Sequence, residues 1–210
     1  MLRECPEHGD YRGGECPDCG AEGDYLMNDE ELNHLGRIMA GILRHFPDRF
    51  GLEMDETGWI DLEEMVEAIQ RKRDRFHWLS PRHVNAVVQT DPKGRYELED
   101  DRIRATYAHS LDLAWDFPTE GIPETLYYPV SEEELDLVLD RGLQPRDRSL
   151  VHLSETYESA VSAGLRRVEN PIILEVAAQK ANEDGNTVWN AAKTVYTTEE
   201  VPPEYISRSQ

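Results

Sequence analysis

Three capped, apolar-periodic segments followed by one turn and two short alternating runs leave residues 28 to 105 few ways to fold. In the first, Leu32, Leu35, Ile38, Met39, Ile42, Leu43 and Phe46 recur at helical spacing behind Asn28 or Asp29 as cap. It stops at Arg44-His45-Phe46-Pro47, because the residue before a proline is disfavoured in a helix. Gly58-Trp59-Ile60 reads as a short strand or turn, and Asp61 with Glu64 caps a second helix through Leu62, Met65, Val66 and Ile69 that finishes in Arg71-Lys72-Arg73-Asp74-Arg75. Ser80-Pro81 opens a third helix carrying Val84, Val87 and Val88. Asp91-Pro92-Lys93-Gly94 is a turn, and Tyr96-Glu97-Leu98 pairs with Ile103-Arg104-Ala105. Three helices and a two-stranded wing describe a winged helix, with the Arg71 to Arg75 run and Arg82 as its basic, nucleic-acid-facing side.

The second strand of that wing continues through Thr106-Tyr107-Ala108-His109-Ser110. Alternation places Arg102, Arg104, Thr106 and Ala108 on one face. Two guanidiniums on one face of a rigid element suit an anionic ligand. Ion pairs to Asp100 and Asp101 are the competing explanation.

The first 25 residues hold all three cysteines, as Cys5-Pro-Glu-His8 and Cys16-Pro-Asp-Cys19. Two such knuckles can turn four soft donors toward one tetrahedral zinc, and four protein ligands leave no open position, so the zinc is expected to be structural. Three cysteines cannot all pair with one another, and a reducing compartment disfavours disulfides.

Pro118-Thr-Glu-Gly-Ile-Pro123 is the expected lobe boundary, giving a zinc-binding module over 1–27, a winged-helix lobe over 28–117 and a third lobe over 118–210. In the third lobe Leu126-Tyr127-Tyr128 reads as a strand, and Ser131 with Glu134 caps a helix closed by Gly142. A strand through Val151-His152-Leu153 is expected to end at Ser154, capping the next helix. Pro171 to Val176 reads as β, Asp184-Gly185 as a hairpin turn and Thr194-Val195-Tyr196 as a strand. The fold class is α+β, with the third lobe mainly β.

Acidic residues number 43 against 22 basic, a net charge of -21, yet apolar periodicity persists, so the acidity does not signal disorder. The only lysines are Lys72, Lys93, Lys180 and Lys193, which fits a halophilic cytoplasm where salt screens self-repulsion. No run approaches the ~18 apolar residues needed to cross a bilayer, and no apolar segment follows the start, so neither a membrane span nor secretion is expected.

Leu43-Arg44-His45, Gly58-Trp59, Ile103-Arg104-Ala105 with His109-Ser110, Gly142-Leu143, Arg148 with Val151-His152-Leu153-Ser154, and Val201-Pro-Pro-Glu-Tyr205 stand in one order along the chain. In that order and spacing the sequence resembles the RNA 2'-phosphotransferase family from about Leu32 to Ile206. The resemblance implies a winged-helix lobe joined to an ADP-ribosyltransferase-like lobe that binds NAD. It further implies removal of an internal 2'-phosphate from RNA, of the tRNA splice-junction type, by transfer to ADP-ribose. The products are a cyclic phosphate of ADP-ribose, nicotinamide and 2'-hydroxyl RNA. By the same resemblance Arg44, His45, Arg104 and Arg148 form the catalytic set, and His109, Ser110 and His152 contact NAD. The metal set of Cys5, His8, Cys16 and Cys19 lies outside the matched stretch. The partners expected are RNA and NAD, with no membrane, and the expected state is a cytoplasmic monomer.

The chain departs from the family pattern in three places. Tyr128-Pro129-Val130 replaces His-Gly-Thr, Thr106-Tyr107-Ala108 replaces Asn-Gln-Gly, and Leu150 replaces a histidine. Altered NAD contacts with retained activity are the expectation. An ADP-ribosyltransferase acting on nucleic-acid phosphates, and a non-catalytic zinc-containing RNA-binding protein, are the alternatives.

Overall fold

The computed structural model describes residues 1–209. The chain is α+β and divides into two compact units, Met1–Thr106 and the remainder from Tyr107. This division falls ahead of the Pro118–Pro123 stretch because residues 107–118 bond into the second unit. The Ala108 N–H donates to His152, and the Asn190 N–H to the Pro118 carbonyl.

The first unit begins with three short antiparallel strands, β1 (Leu2–Cys5), β2 (Gly9–Arg12) and β3 (Asp24–Met27), in the order β2-β1-β3. Three helices follow: α1 (Asp29–Arg44), α2 (Leu62–Lys72) and α3 (Pro81–Gln89). The expected caps form. Asn28 accepts from the Glu31 N–H in a reciprocal capping box, Asp61 accepts from Glu64, and Pro81 opens α3 behind Ser80. A strand β4 (Ile60–Asp61) joins the hairpin of β5 (Tyr96–Glu99) and β6 (Arg102–Ala105) in a sheet ordered β4-β6-β5. Its register is Tyr96↔Ala105, Glu97↔Arg104 and Leu98↔Ile103.

The apolar stripes of α1 and α2 meet Phe76, Val84, Ile60 and Ile103 in one core. Leu2 and Met27, fully buried, join that core from the N-terminal strands, so the cysteine-rich segment is rooted in it. Each such side chain contributes about 1.5–3 kcal/mol.

The second unit is built on a six-stranded antiparallel sheet ordered β10-β11-β8-β7-β9-β12. Its strands are β7 (Leu126–Val130), β8 (Val151–Ser154), β9 (Ile172–Val176), β10 (Val188–Ala192), β11 (Val195–Thr198) and β12 (Ile206–Arg208). Helices α4 (Glu132–Arg141), α5 (Tyr157–Gly164) and α6 (Ala178–Glu183) complete it. Two expectations are corrected. Thr156, not Ser154, caps α5, accepting from the Ser159 N–H. Asp184-Gly185 closes the short helix α6 and is not a hairpin turn; the β10–β11 reversal comes later, after Ala192.

Strands β7 and β8 share one registered pair, Tyr127↔Ser154, whereas β7 pairs with β9 along its whole length. Pro129, without an N–H, is tolerated inside this central strand because the β8 side has already parted. Gly164 lets α5 lie directly on the adjoining strands. A Cβ there would come within 2.6 Å of Pro171 and 2.8 Å of Pro129.

Candidate functional site

In the first unit, Arg44 is the last residue of α1 and His45 its C-cap, whose N–H reaches the Gly41 carbonyl. Both are half-buried. Arg104 on β6 is buried, at 5 % exposure. Its Nε and Nη2 donate to Glu97 Oε2 at 2.9 and 2.8 Å, its Nη1 donates to the Thr57 carbonyl at 3.4 Å, and its guanidinium lies 4.5 Å from the Trp59 ring centre. Arg102, two residues earlier, shares that face but is exposed. It lies 5.1 Å from the centre of the same indole and pairs with Glu99 at 2.8 Å and Asp55 at 3.5 Å. The anticipated partners Asp100 and Asp101 are therefore replaced by a cross-strand neighbour and the β4 turn. Glu97 as partner of Arg104 was readable from the hairpin register, which sets the two opposite each other.

In the second unit the joint is Ala108. It adopts a left-handed backbone, φ +67°, where the resemblance leads one to expect glycine. Its N–H donates to His152 Nε2 at 2.9 Å and its carbonyl accepts from Arg148 Nη1 at 3.2 Å. Nε2 of His152 is thereby the acceptor of this pair. The carbonyl of His109 accepts from the Ser149 N–H at 3.1 Å and hydroxyl at 3.2 Å, and its imidazole, buried, meets the Trp115 ring edge-on at 5.3 Å. Ser110 is exposed and Leu150 is buried. Two backbone carbonyls and one N–H thus tie the Ala108-His109 segment to the Arg148–His152 segment. The strained Ala108 was legible only as a departure from a motif.

Near the N-terminus, Cys5, His8, Cys16 and Cys19 bring one donor atom each within 4.8 Å of one another. Cys5 Sγ is 3.5 Å from His8 Nδ1 and 3.8 Å from Cys19 Sγ, and Cys16 Sγ is 3.7 Å from His8 Nδ1. Donors about 2.0–2.3 Å from a tetrahedral ion stand about 3.5–3.8 Å apart, so the set fits one four-coordinate metal. The Glu7 N–H foremost, and His8 after it, hold the Cys5 thiol down to about 7 against the effect of burial. The Cys5 contact in turn raises His8.

This cluster is pinned to α3. Arg82 grips both carboxylate oxygens of Asp10 and reaches Glu4 at 2.7 Å, while Arg12 donates to Thr90 Oγ1 at 3.1 Å and the Val87 carbonyl at 3.3 Å. The expected nucleic-acid-facing role of Arg82 is corrected accordingly, since its guanidinium is taken by two carboxylates. Of the Arg71 to Arg75 run, Arg71 pairs with Glu67 and Arg75 with Glu30. Burial pushes the Asp91 carboxyl up, but Arg95 and then Arg12 overcome it and hold the group below its ordinary value.

Buried or half-buried arginines such as Arg104 and Arg148 are of the residue type suited to bidentate capture of phosphate or carboxylate. Comparison with known proteins makes this specific. The model of the RNA 2'-phosphotransferase, Tpt1 / KptA family matches residues 30–200, and the chain belongs to this family of transferases. Relatives match nearly all of it. "Probable RNA 2'-phosphotransferase 1" of Archaeoglobus fulgidus is 44% identical, covering 99% of this chain and 94% of that protein. "Probable RNA 2'-phosphotransferase" of Methanosarcina barkeri is 41% identical, covering 98% of each chain. The protein of the same name from Haloarcula marismortui is 32% identical, covering 98% of this chain and 96% of its own.

Proposed function

We propose that the protein is an NAD-dependent RNA 2'-phosphotransferase acting on an internal 2'-phosphate of the tRNA splice-junction type. The observation that carries this reading is the family match over residues 30–200 together with the presence of all four charged positions, Arg44, His45, Arg104 and Arg148.

A phosphate monoester is already ionised and needs positioning more than a base. In the first step its oxygen attacks the anomeric carbon of the nicotinamide ribose, and nicotinamide leaves with the electrons of the broken bond. In the second, a hydroxyl of that ribose attacks phosphorus, the RNA 2'-oxygen leaves and takes up a proton, and the cyclic phosphate of ADP-ribose forms. Arg44, Arg104 and Arg148 clamp the RNA phosphate and the NAD diphosphate and neutralise charge at phosphorus. His45 orients or deprotonates the attacking hydroxyl.

NAD contacts fall to His109, Ser110 and His152. Support comes from the parted edges of β7 and β8, which lie beside His152 and leave backbone polar groups available to a ligand. Tyr128-Pro129-Val130 lies on the β7 side of that opening, so its contacts to NAD differ from those of a His-Gly-Thr segment.

The Cys/His cluster binds zinc as a structural element, supported by its donor spacing. Residues 28–105 act as a winged-helix RNA lobe, supported by three helices leading into the β5–β6 hairpin. The acidic, lysine-poor composition supports a halophilic cytoplasm as the working environment, with the protein acting as a monomer.

The test is a short RNA bearing one internal 2'-phosphate, incubated with NAD in molar salt. Phosphate loss that requires NAD and falls by at least about 10³-fold in Arg148→Ala supports the reading. An ADP-ribosylated RNA that persists identifies a transferase that stops after the first step. Absence of any NAD-dependent change leaves a binding protein.

A further inference from the structure

Most arginines of this chain are neutralised by carboxylates, as an excess of 43 acidic over 22 basic residues makes easy. One place escapes. Between α1, the short 3-10 turn at Asp48–Phe50 and the end of α2 lies an open cleft of about 450 Å³, lined by Arg37, Arg49, Lys72 and Arg73 with Phe46 and Phe50, and by no carboxylate. Among the described residues none of these four cations pairs with an acidic side chain, although Arg71 and Arg75 on either side do. Three of the four heads lie near aromatic rings instead. The Arg49 guanidinium sits 4.0 Å from the centre of Phe46, and Lys72 and Arg73 lie 5.7 and 5.8 Å from that of Phe50.

Four cations gathered around an open cleft with no carboxylate in its lining form a site of positive potential suited to an anion of several charges. A guanidinium flattened on an aromatic ring also presents a stacking face to a base. The cleft is contiguous in sequence with Arg44-His45, since Phe46 follows directly.

We infer that the α1–α2 cleft is a binding site for single-stranded RNA, taking the nucleotides that flank the modified one, with phosphates on Arg37, Arg49, Lys72 and Arg73 and a base stacked on Arg49. The inference deepens the proposed function and rests on it for the identity of the strand.

The first experiment needs no chemistry. An unmodified, fluorescently labelled single strand of about twelve nucleotides is titrated with the full-length protein across a salt series. The double variant Arg49→Ala/Arg73→Ala is expected to bind about tenfold more weakly, with the slope of log affinity against log salt shallower by about 1.4, the value for two lost single-strand phosphate contacts. Arg71→Ala, outside the cleft, serves as the control and leaves both unchanged. The second experiment compares turnover of a 2'-phosphorylated trinucleotide and a long RNA. The double variant raises KM on the long RNA and leaves the trinucleotide unaffected.

Unchanged affinity and slope, equal losses in Arg71→Ala, or equal KM changes on both substrates overturn the inference. So does a mononucleotide that displaces the strand at its own saturating concentration, which marks a small-anion site. If the wild type shows no turnover the proposed reaction fails, while the binding arm still decides the cleft. A melting temperature matching the wild type excludes misfolding of these exposed positions as the cause.

Discussion

The cysteine-rich start of the chain and the six-stranded sheet at its end are held together by opposite means. The start has a small interior of its own, Cys5, Tyr11 and Cys16, and beyond the two apolar anchors Leu2 and Met27 it relies on single polar attachments: four metal-type donors, Arg82 on Asp10 and Glu4, and Arg12 beside Asp91. The sheet has an apolar core including Leu126, Val130, Leu153, Leu174 and Val176 and gains stability by area. A region held at points responds sharply to loss of one polar partner, whereas a region held by area responds to shape.

Removing the zinc proposed for the Cys5, His8, Cys16 and Cys19 cluster should break this comparison most visibly. Binding energy in such sites is folding energy, on the order of 10 kcal/mol for isolated zinc peptides. A strong chelator is therefore expected to expose residues 1–27 to protease and lower the melting temperature by about 10 °C, while the sheet strands keep their hydrogen-exchange protection. Equal loss of protection in both regions would show that the start supports the whole chain.

On the area-held side, Gly164→Ala forces a Cβ against Pro129 and Pro171 and should cost about 2–3 kcal/mol in denaturant unfolding, with RNA affinity unchanged. Asp91→Asn probes a single attachment and should cost about 1–2 kcal/mol near neutral pH. Because the folded state holds the Asp91 carboxyl below its ordinary value, its contribution is complete above that value and disappears as pH falls through the folded one. Wild type and variant should therefore converge in stability in acid, and a gap that persists at low pH would assign the effect to packing. The smallest change expected is from Ala108→Gly, which relieves a left-handed alanine and should add less than about 1 kcal/mol.

Local signals were legible throughout. Asn28, Asp61, Ser80 and Ser131 cap where their spacing indicates, and the hairpin of Tyr96–Leu98 with Ile103–Ala105 forms in the expected register. What escaped was non-local. Arg82 looks like a solvent cation until Asp10 and Glu4 fold back upon it, and α6 is too short and alanine-rich to show a periodic stripe. The order of the six strands depends on pairings between distant segments that alternation alone does not encode. For the site, residue types were visible in motifs, whereas the means of holding them, Trp59 and Glu97 for Arg104 and Ala108 for Arg148 and His152, required the folded chain.

The parting of β7 and β8 gives the second unit a seam. Three strands on each side keep long ladders, but a single rung bridges the line, with a proline two residues beyond it. Mechanically this is two stiff ladders joined by one backbone stitch, with the rest of the join carried by side chains, since Leu126 and Val130 on one side share an apolar core with Val151 and Leu153 on the other. Amide exchange should accordingly be fastest at the seam, and a ligand filling it would act as the missing stitches.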